Sequence, residues 1–282
     1  MKTRQEVKAL ARDAMAEQRG NSILLLLVYM FAPQAAWAIV VMIWTVFALF
    51  MLVPGAEVIG ALMGGTFMLV MYIGIVSAYI VMGINLYGEY IKTYRREKSD
   101  IGMLFSNLSV NFLRKFGGMM YMSLLIFLWS LLFIIPGIVK VYQYFFTPYI
   151  LADCPKVTTT EAVSYSMRIT EGRRWSIFVF QLSWLGWGLL SLFTFHILWI
   201  VYAGPYYYTA CAGMYVEMRD AAIAEGRITR GELGLPEEFP DIFTKDEQSG
   251  RRNNGWHNPH DDRGWNSPRR GSGWEDEDSR RN

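Results

Sequence analysis

The chain has 282 residues, of which 52% are hydrophobic, 15% aromatic and 18% charged, with a formal net charge of +2. The charges are segregated. Residues 22–87 hold no Lys or Arg and one acid, Glu57, whereas residues 249–282 are almost free of aliphatic side chains. A soluble domain mixes the two classes locally, so this pattern excludes one and points to a bilayer protein with a polar tail.

Two cysteines, Cys154 and Cys211, have no C-x-x-C spacing. That excludes a disulfide framework and a thiolate metal site.

Taken in order, residues 3–18 predict an amphipathic helix. Val7, Leu10, Ala11, Ala14 and Met15 share one face, while Arg4, Lys8, Arg12 and Glu17 occupy the other sides. Such a helix can lie in the headgroup region with its apolar face down. Ala36-Trp37-Ala38 has the form of a signal-peptidase site. The acids Glu6, Asp13 and Glu17 before it, and apolar sequence beyond it to Val53, predict an uncleaved first span instead.

Spans are predicted at about 23–53 and 58–87, joined by Pro54-Gly55-Ala56-Glu57, with a kink or interfacial break expected near Pro33. Gly60, Gly64, Gly74 and Gly83 thread the second span and let a neighbouring helix approach. Ile101, Leu104, Phe105, Leu108 and Phe112 predict a second amphipathic helix ending at Arg114-Lys115. A third span at 116–135, a turn at Pro136-Gly137 and a short fourth span at 138–154 follow. Thr158-Thr159-Thr160-Glu161 is a capping-box pattern that opens a third amphipathic helix ending at Gly172-Arg173-Arg174. Spans at 175–195 and 197–215 flank Thr194-Phe195-His196.

The bases set the topology. Segments 1–21, 88–116 and 153–174 hold five, six and four Lys/Arg, and the short turns 54–57, 136–137 and 194–196 hold none. Every second loop is positive, which predicts both termini in the cytoplasm. The expected fold is an all-α membrane protein with six transmembrane helices as three hairpins, each preceded by an amphipathic cytoplasmic or interfacial helix.

An internal repeat accompanies this plan. Lys115 and Pro148 are 33 residues apart, Arg174 and Pro205 are 31 apart, and Tyr149 and Tyr206 follow the two prolines. The membrane domain is assigned to 1–230. From 231 to 282 the composition predicts a disordered cytoplasmic tail. There Gly-Trp recurs at 255–256, 264–265 and 273–274. The plain reading is a low-complexity repeat; the sharper one is a linear protein-binding segment within 250–282.

Chemistry-bearing clusters are scarce. The predicted span cores hold Gln34, Asn85, Gln143 and Gln181, but no Asp, Glu or Arg near a midplane. That argues against ion-coupled transport. His196 is alone in a turn, and His257 with His260 is a weak metal candidate in the tail. No phosphate-binding loop and no G-x-S-x-G or H-E-x-x-H motif occurs. The tail's bases are balanced by acids, so nucleic-acid binding is not expected. No catalytic residue, cofactor or metal is assigned.

Leu151-Ala152-Asp153, Pro155, Glu161-Ala162, Ser166 and Gly172 form a pattern with Gly186-Trp187, Pro205-Tyr206 and Thr209-Ala210, and Thr158, the cap position, is the further motif residue. The chain thereby resembles a bacterial integral-membrane family known as domain of unknown function 975, over roughly residues 1–220. More distantly it is similar to the membrane domain of some glycerophosphodiester phosphodiesterases. Membership implies a multi-span protein without an assigned active site. Asp153, Glu161, Ser166 and Pro205 are expected to serve as cap, turn and kink positions. Two positions depart from the family: Cys154 stands where a polar residue such as Asn is expected, and His196 where Gly is. The function expected is a non-enzymatic protein that organises membrane lipids or partner proteins through basic amphipathic helices. The alternative is a transporter or channel for a neutral or lipid-like substrate. The expected site is the bacterial cell membrane.

Overall fold

The computed structural model describes residues 2–50, 57–106, 108 and 111–235. Among these residues every element is helical. The Gly-Trp repeats, the two tail histidines and most of the predicted 54–57 turn lie outside the described residues.

Helix α1 (Arg4–Glu17) is opened by Thr3, whose amide donates to the Glu6 carboxylate at 2.6 Å while its hydroxyl accepts from the Glu6 amide at 3.3 Å. Val7, Ala11, Ala14 and Met15 are buried, as their spacing predicts. Their face packs on protein, not on lipid headgroups, because two later helices, α3 and α11, cover it. Only the polar side of α1 points outward.

Helix α2 (Arg19–Phe50) runs through Pro33 with no break. It packs against α3 (Glu57–Tyr94). A Cβ on Gly64 would fall within 1.4 Å of the Trp44 ring, so glycine there admits the neighbouring helix, a contact within the chain. Helix α3 continues past the predicted end at Tyr87. Lys92 pairs with Glu89 one turn back at 2.7 Å, and Arg96, at φ 57°, turns the chain beyond Tyr94.

The amphipathic helix predicted over 101–112 is not continuous. Among the described residues of this stretch before Phe112, only α4 (Met103–Ser106) is helical. The Asp100 carboxylate accepts from the Gly102 amide at 2.9 Å, a local turn that competes with helix, and Asn111 sits at φ 57°.

Helix α5 (Phe112–Leu132) meets α6 (Ile134–Gln143) at extended Phe133, not at the predicted Pro136-Gly137 turn. Pro136 lies in the first turn of α6, where its missing N–H costs nothing. After a break at 144–146 come α7 (Thr147–Asp153) and α8 (Thr159–Thr170). Helices α9 (Arg174–Leu182) and α10 (Leu185–Phe193) follow. Then come the predicted 194–196 turn, a π-helix at Trp199–Ala203 and α11 (Gly204–Ala224).

Among the described residues, four helical stretches are long and apolar enough to cross a membrane: 19–48, 62–94, 112–132 and 174–193. They coincide with four predicted spans. The predicted spans 138–154 and 197–215 do not form single helices of this kind. The first is split by the 144–146 break into α6 and α7, and ten-residue α6 is only ~15 Å long against a ~30 Å core. The second opens with α-helical 197–198, passes through the π-helix at Trp199–Ala203 and continues in α11 to Ala224.

Burial changes along the long helices. On α3, Leu62, Leu69 and Ile73 are exposed, whereas Val81, Ile84, Tyr90 and Tyr94 are buried. Helix α11 is the hub of the buried end: Ala210, Cys211, Tyr215, Met218 and Arg219 are all covered, by neighbours that include α1, α3 and α8. The packed part extends past 230, for Leu233 is fully buried.

Candidate functional site

A cluster of buried charged groups forms where α3, α5, α7 and α11 meet. Helix α7 ends at Asp153 because Pro155, two residues on, keeps Cys154 out of the helical region, at φ −117° and ψ 84°. This aims the Asp153 carboxylate at two cations. Arg219 Nη1 donates to it at 2.6 Å, and Arg95 contributes contacts of 3.0 and 3.1 Å. The Tyr215 hydroxyl donates at 3.2 Å. The Arg219 side chain is 2% exposed and that of Asp153 is 7% exposed, so the pair is withdrawn from water. Arg219 also holds Asp220 at 2.7 Å. Burial opposes the Arg219 charge, but Tyr215, Asp153 and Asp220 outweigh it and hold the guanidinium above the usual arginine range.

Arg114, from the first turn of α5, closes the end of α7. Its guanidinium donates to the carbonyls of Leu151 (2.7 Å), Cys154 (3.3 Å) and Val157 (2.7 Å). A cation at a helix C-terminus meets both the orphan carbonyls and the negative end of the dipole. Arg173 stands in the same relation to its own unit, pairing with Glu225 at the end of α11. The first base of each doubled pair, Arg114 and Arg173, thus ties a returning helix to the start of the outgoing one.

Beside Asp153 lies a polar cleft of about 190 Å³, lined by Asn85, Glu89, Lys92, Arg95 and Lys115 among others. The Lys115 ammonium donates to the Asn85 carbonyl at 2.6 Å, and the Asn85 amide donates to Leu104 O at 3.1 Å. Glu89 is buried; it accepts from Lys92 at 2.7 Å and from the Asp100 amide at 2.9 Å. The cleft therefore offers positive and negative groups in nearly equal number, already engaged with one another. It suits a small polar or zwitterionic group, or water, and holds no aligned nucleophile and base. Among the described residues no group of three His, Cys, Asp or Glu is placed to hold a metal ion.

The other pattern residues are spread along the last two units. Thr158 caps α8, donating to Glu161 through its amide (2.9 Å) and hydroxyl (2.7 Å). Buried Ser166 accepts from the Phe146 amide at 3.1 Å and donates to Gln143 O at 2.9 Å, so it satisfies the backbone at the α6–α7 break. Gly172 ends α8 at φ 72°, which only glycine adopts freely. Pro205 stands in the first turn of α11. Tyr206 meets the Trp184 ring edge-on at 4.8 Å, and Trp187 meets Tyr202 at 5.6 Å. Gly186 lies on α10 with open space around it. Asp153 alone of these residues joins the polar centre, as an ion-pair anchor in addition to a helix end. His196, at φ 63°, occupies a left-handed position, where glycine would be the least strained residue. Cys154 and Cys211 are both buried and unpaired.

Sequence reasoning passed over Arg95, Arg219, Glu89 and Lys115. Each sits just beyond a predicted span end, where a charge reads as solvated. Glu89 and Lys92 at i, i+3 were the available signal that α3 continues.

The fold and this centre define an all-helical protein with membrane-length apolar helices and a charge-paired core. Within that class, the chain belongs to the family described as protein of unknown function (DUF975), whose model matches residues 65–222. The whole polar centre lies inside the match; α1 and α2 lie outside it. No curated protein matches the chain, and no solved structure does. The more distant similarity to glycerophosphodiester phosphodiesterase membrane domains is not shown.

Proposed function

We propose that this is a non-enzymatic integral protein of the bacterial cell membrane that organises lipids at the cytoplasmic leaflet. In this reading six crossings form three hairpins, both termini are cytoplasmic, and the fourth and sixth crossings are completed by broken helices. The observation that supports it is the division of the surface. Phe127, Leu131, Ile135, Leu189 and Phe193 are exposed on α5, α6 and α10, while the charged groups cluster around Asp153 at the other end. An apolar surface of this kind is matched to acyl chains. Extraction of the protein with its surrounding bilayer, followed by lipid quantification, tests the reading. Enrichment of anionic lipid over the bulk membrane is expected; a composition equal to the bulk counts against it.

A transporter for a neutral or lipid-like substrate is the second reading. It is favoured by the α6–α7 break and by the π-helix before Pro205, both of which release backbone carbonyls. Thermal stabilisation by one member of a metabolite panel supports it, and stabilisation by none argues against it. Recruitment of a partner by the tail is tested by truncation after Leu235, which keeps buried Leu233 in place. Loss of co-purifying proteins is the expected result.

A further inference from the structure

A second cleft lies between the start of α1 and the C-terminal end of α9. It has a volume of about 540 Å³. Its cations are Arg4 and Lys8, one helical turn apart; Thr3, Gln5 and Ser183 add polar groups, and Val179 and Phe180 form an apolar wall. No acidic side chain lines it. Glu6, the acid of the same turn, is committed to the Thr3 amide at 2.6 Å. Arg4 has no ion-pair partner among the described residues.

Lys8 is held in place. Its ammonium donates to Ser183 Oγ at 2.6 Å and lies 4.9 Å from the Trp184 ring centroid and 5.3 Å from that of Phe180. Burial lowers its pKa, and the Arg4 charge lowers it further. Two like charges brought together over an apolar wall leave an unsatisfied demand for an anion. The wall belongs to the helical stretch 174–193, α9 followed by α10, which together is long enough to cross a membrane, and Leu182 and Leu185 beside it are exposed. The partner must therefore be anionic at one end and apolar at the other.

We infer that the α1–α9 cleft binds the phosphate of an anionic phospholipid, with Arg4 and Lys8 as its cationic contacts and the α9 wall against its acyl chain. The inference rests on the lipid-organising reading and gives it a site. It also assigns a role to α1, which the family match does not cover.

The test uses the full chain in neutral detergent, probed by native mass spectrometry with phosphatidylglycerol, with phosphatidylcholine and with inorganic phosphate. Arg4→Gln changes an exposed side chain. Arg12→Gln removes an exposed base that pairs only with adjacent Asp13 among the described residues, and serves as the control. Phosphatidylglycerol affinity should fall about fivefold in Arg4→Gln, the usual worth of one base near an anionic surface. It should fall further in Arg4→Gln/Lys8→Gln and hold in Arg12→Gln. Equal affinity of Arg4→Gln and wild type, or equal loss in Arg12→Gln, overturns the site while leaving the lipid-organising reading intact. Competition by inorganic phosphate at the lipid's own concentration overturns the lipid as ligand. A wild type without preference for phosphatidylglycerol over phosphatidylcholine overturns both the site and the wider reading.

Discussion

Asp153 and Arg219 stand 66 residues apart in sequence, and a 2.6 Å contact joins the end of α7 to the core helix α11. Both side chains are withdrawn from water. Removing one partner of such a pair leaves an uncompensated buried charge, at a cost of about 3–5 kcal/mol. Asp153→Ala should lower unfolding stability by up to that amount, because Arg95 and Arg219 both lose this carboxylate while Arg219 keeps Asp220. Asp13→Ala, whose side chain is 59% exposed, should change it by less than about 0.5 kcal/mol. Denaturant titration in mixed micelles compares the two, and equal effects would contradict the role given to Asp153.

Packing sets the second prediction. A Cβ on Gly213 would come within 2.3 Å of the Tyr94 ring, and one on Gly118 within 2.5 Å of Leu151. The Tyr94 ring is buried and cannot swing away. Gly213→Ala should cost about 1–3 kcal/mol by overpacking. Gly186→Ala, with open space around it, should be neutral or slightly stabilising, since alanine favours helix over glycine. The same titration reads both, and a neutral Gly213→Ala would place α3 and α11 further apart than described.

Ser166 offers a test of the α6–α7 break. It is the partner of the Phe146 amide at a fully buried position. Ser166→Ala should cost about 1–3 kcal/mol, the desolvation penalty of an orphaned backbone group. Hydrogen exchange should accelerate at Phe146 before it does at α7. Unchanged protection at Phe146 would contradict the assignment.

Among the described residues three Thr-x-x-Glu boxes form, at Thr3–Glu6, Thr158–Glu161 and Thr229–Glu232. Hydrogen bonds from the threonines hold each glutamate below its ordinary pKa of 4.5; Arg168 adds to this at Glu232. A folded pKa below the unfolded one gives stability that is present above the unfolded value and lost as pH falls through the folded one. Stability should therefore decline from about pH 5 toward pH 3. The E6Q/E161Q/E232Q triple variant should flatten that decline in a thermal-shift series. An unchanged slope would assign the acid loss to other carboxylates.

Much of this architecture is legible in the sequence. The 3.6-residue spacing of Val7, Ala11 and Ala14 locates α1, and Thr158 with Glu161 starts α8. What the spacing leaves open is which surface the apolar face of α1 meets, because lipid and protein demand the same residues. The polar centre is harder to read. Arg95 and Arg219 each lie next to hydrophilic sequence, and their burial follows from α7 and α11 packing together, a contact made across 66 residues. The break within the predicted fourth span is hidden for a related reason: Tyr144, Phe145 and Phe146 are apolar enough to continue a helix, and the hydroxyls of Ser166 and Thr170, on another helix, accommodate the break. Thr229–Glu232 was visible as a motif, but it lies where composition already turns tail-like.

Both the lipid-organising reading and the α1–α9 site require the charged end of the bundle to face the cytoplasm. Single cysteines at exposed His196 and Lys156, in a background with Cys154 and Cys211 replaced by alanine, measure this with a membrane-impermeant maleimide. H196C should be labelled in intact cells and K156C only after permeabilisation. Labelling of K156C in intact cells to the same extent as H196C would contradict the account.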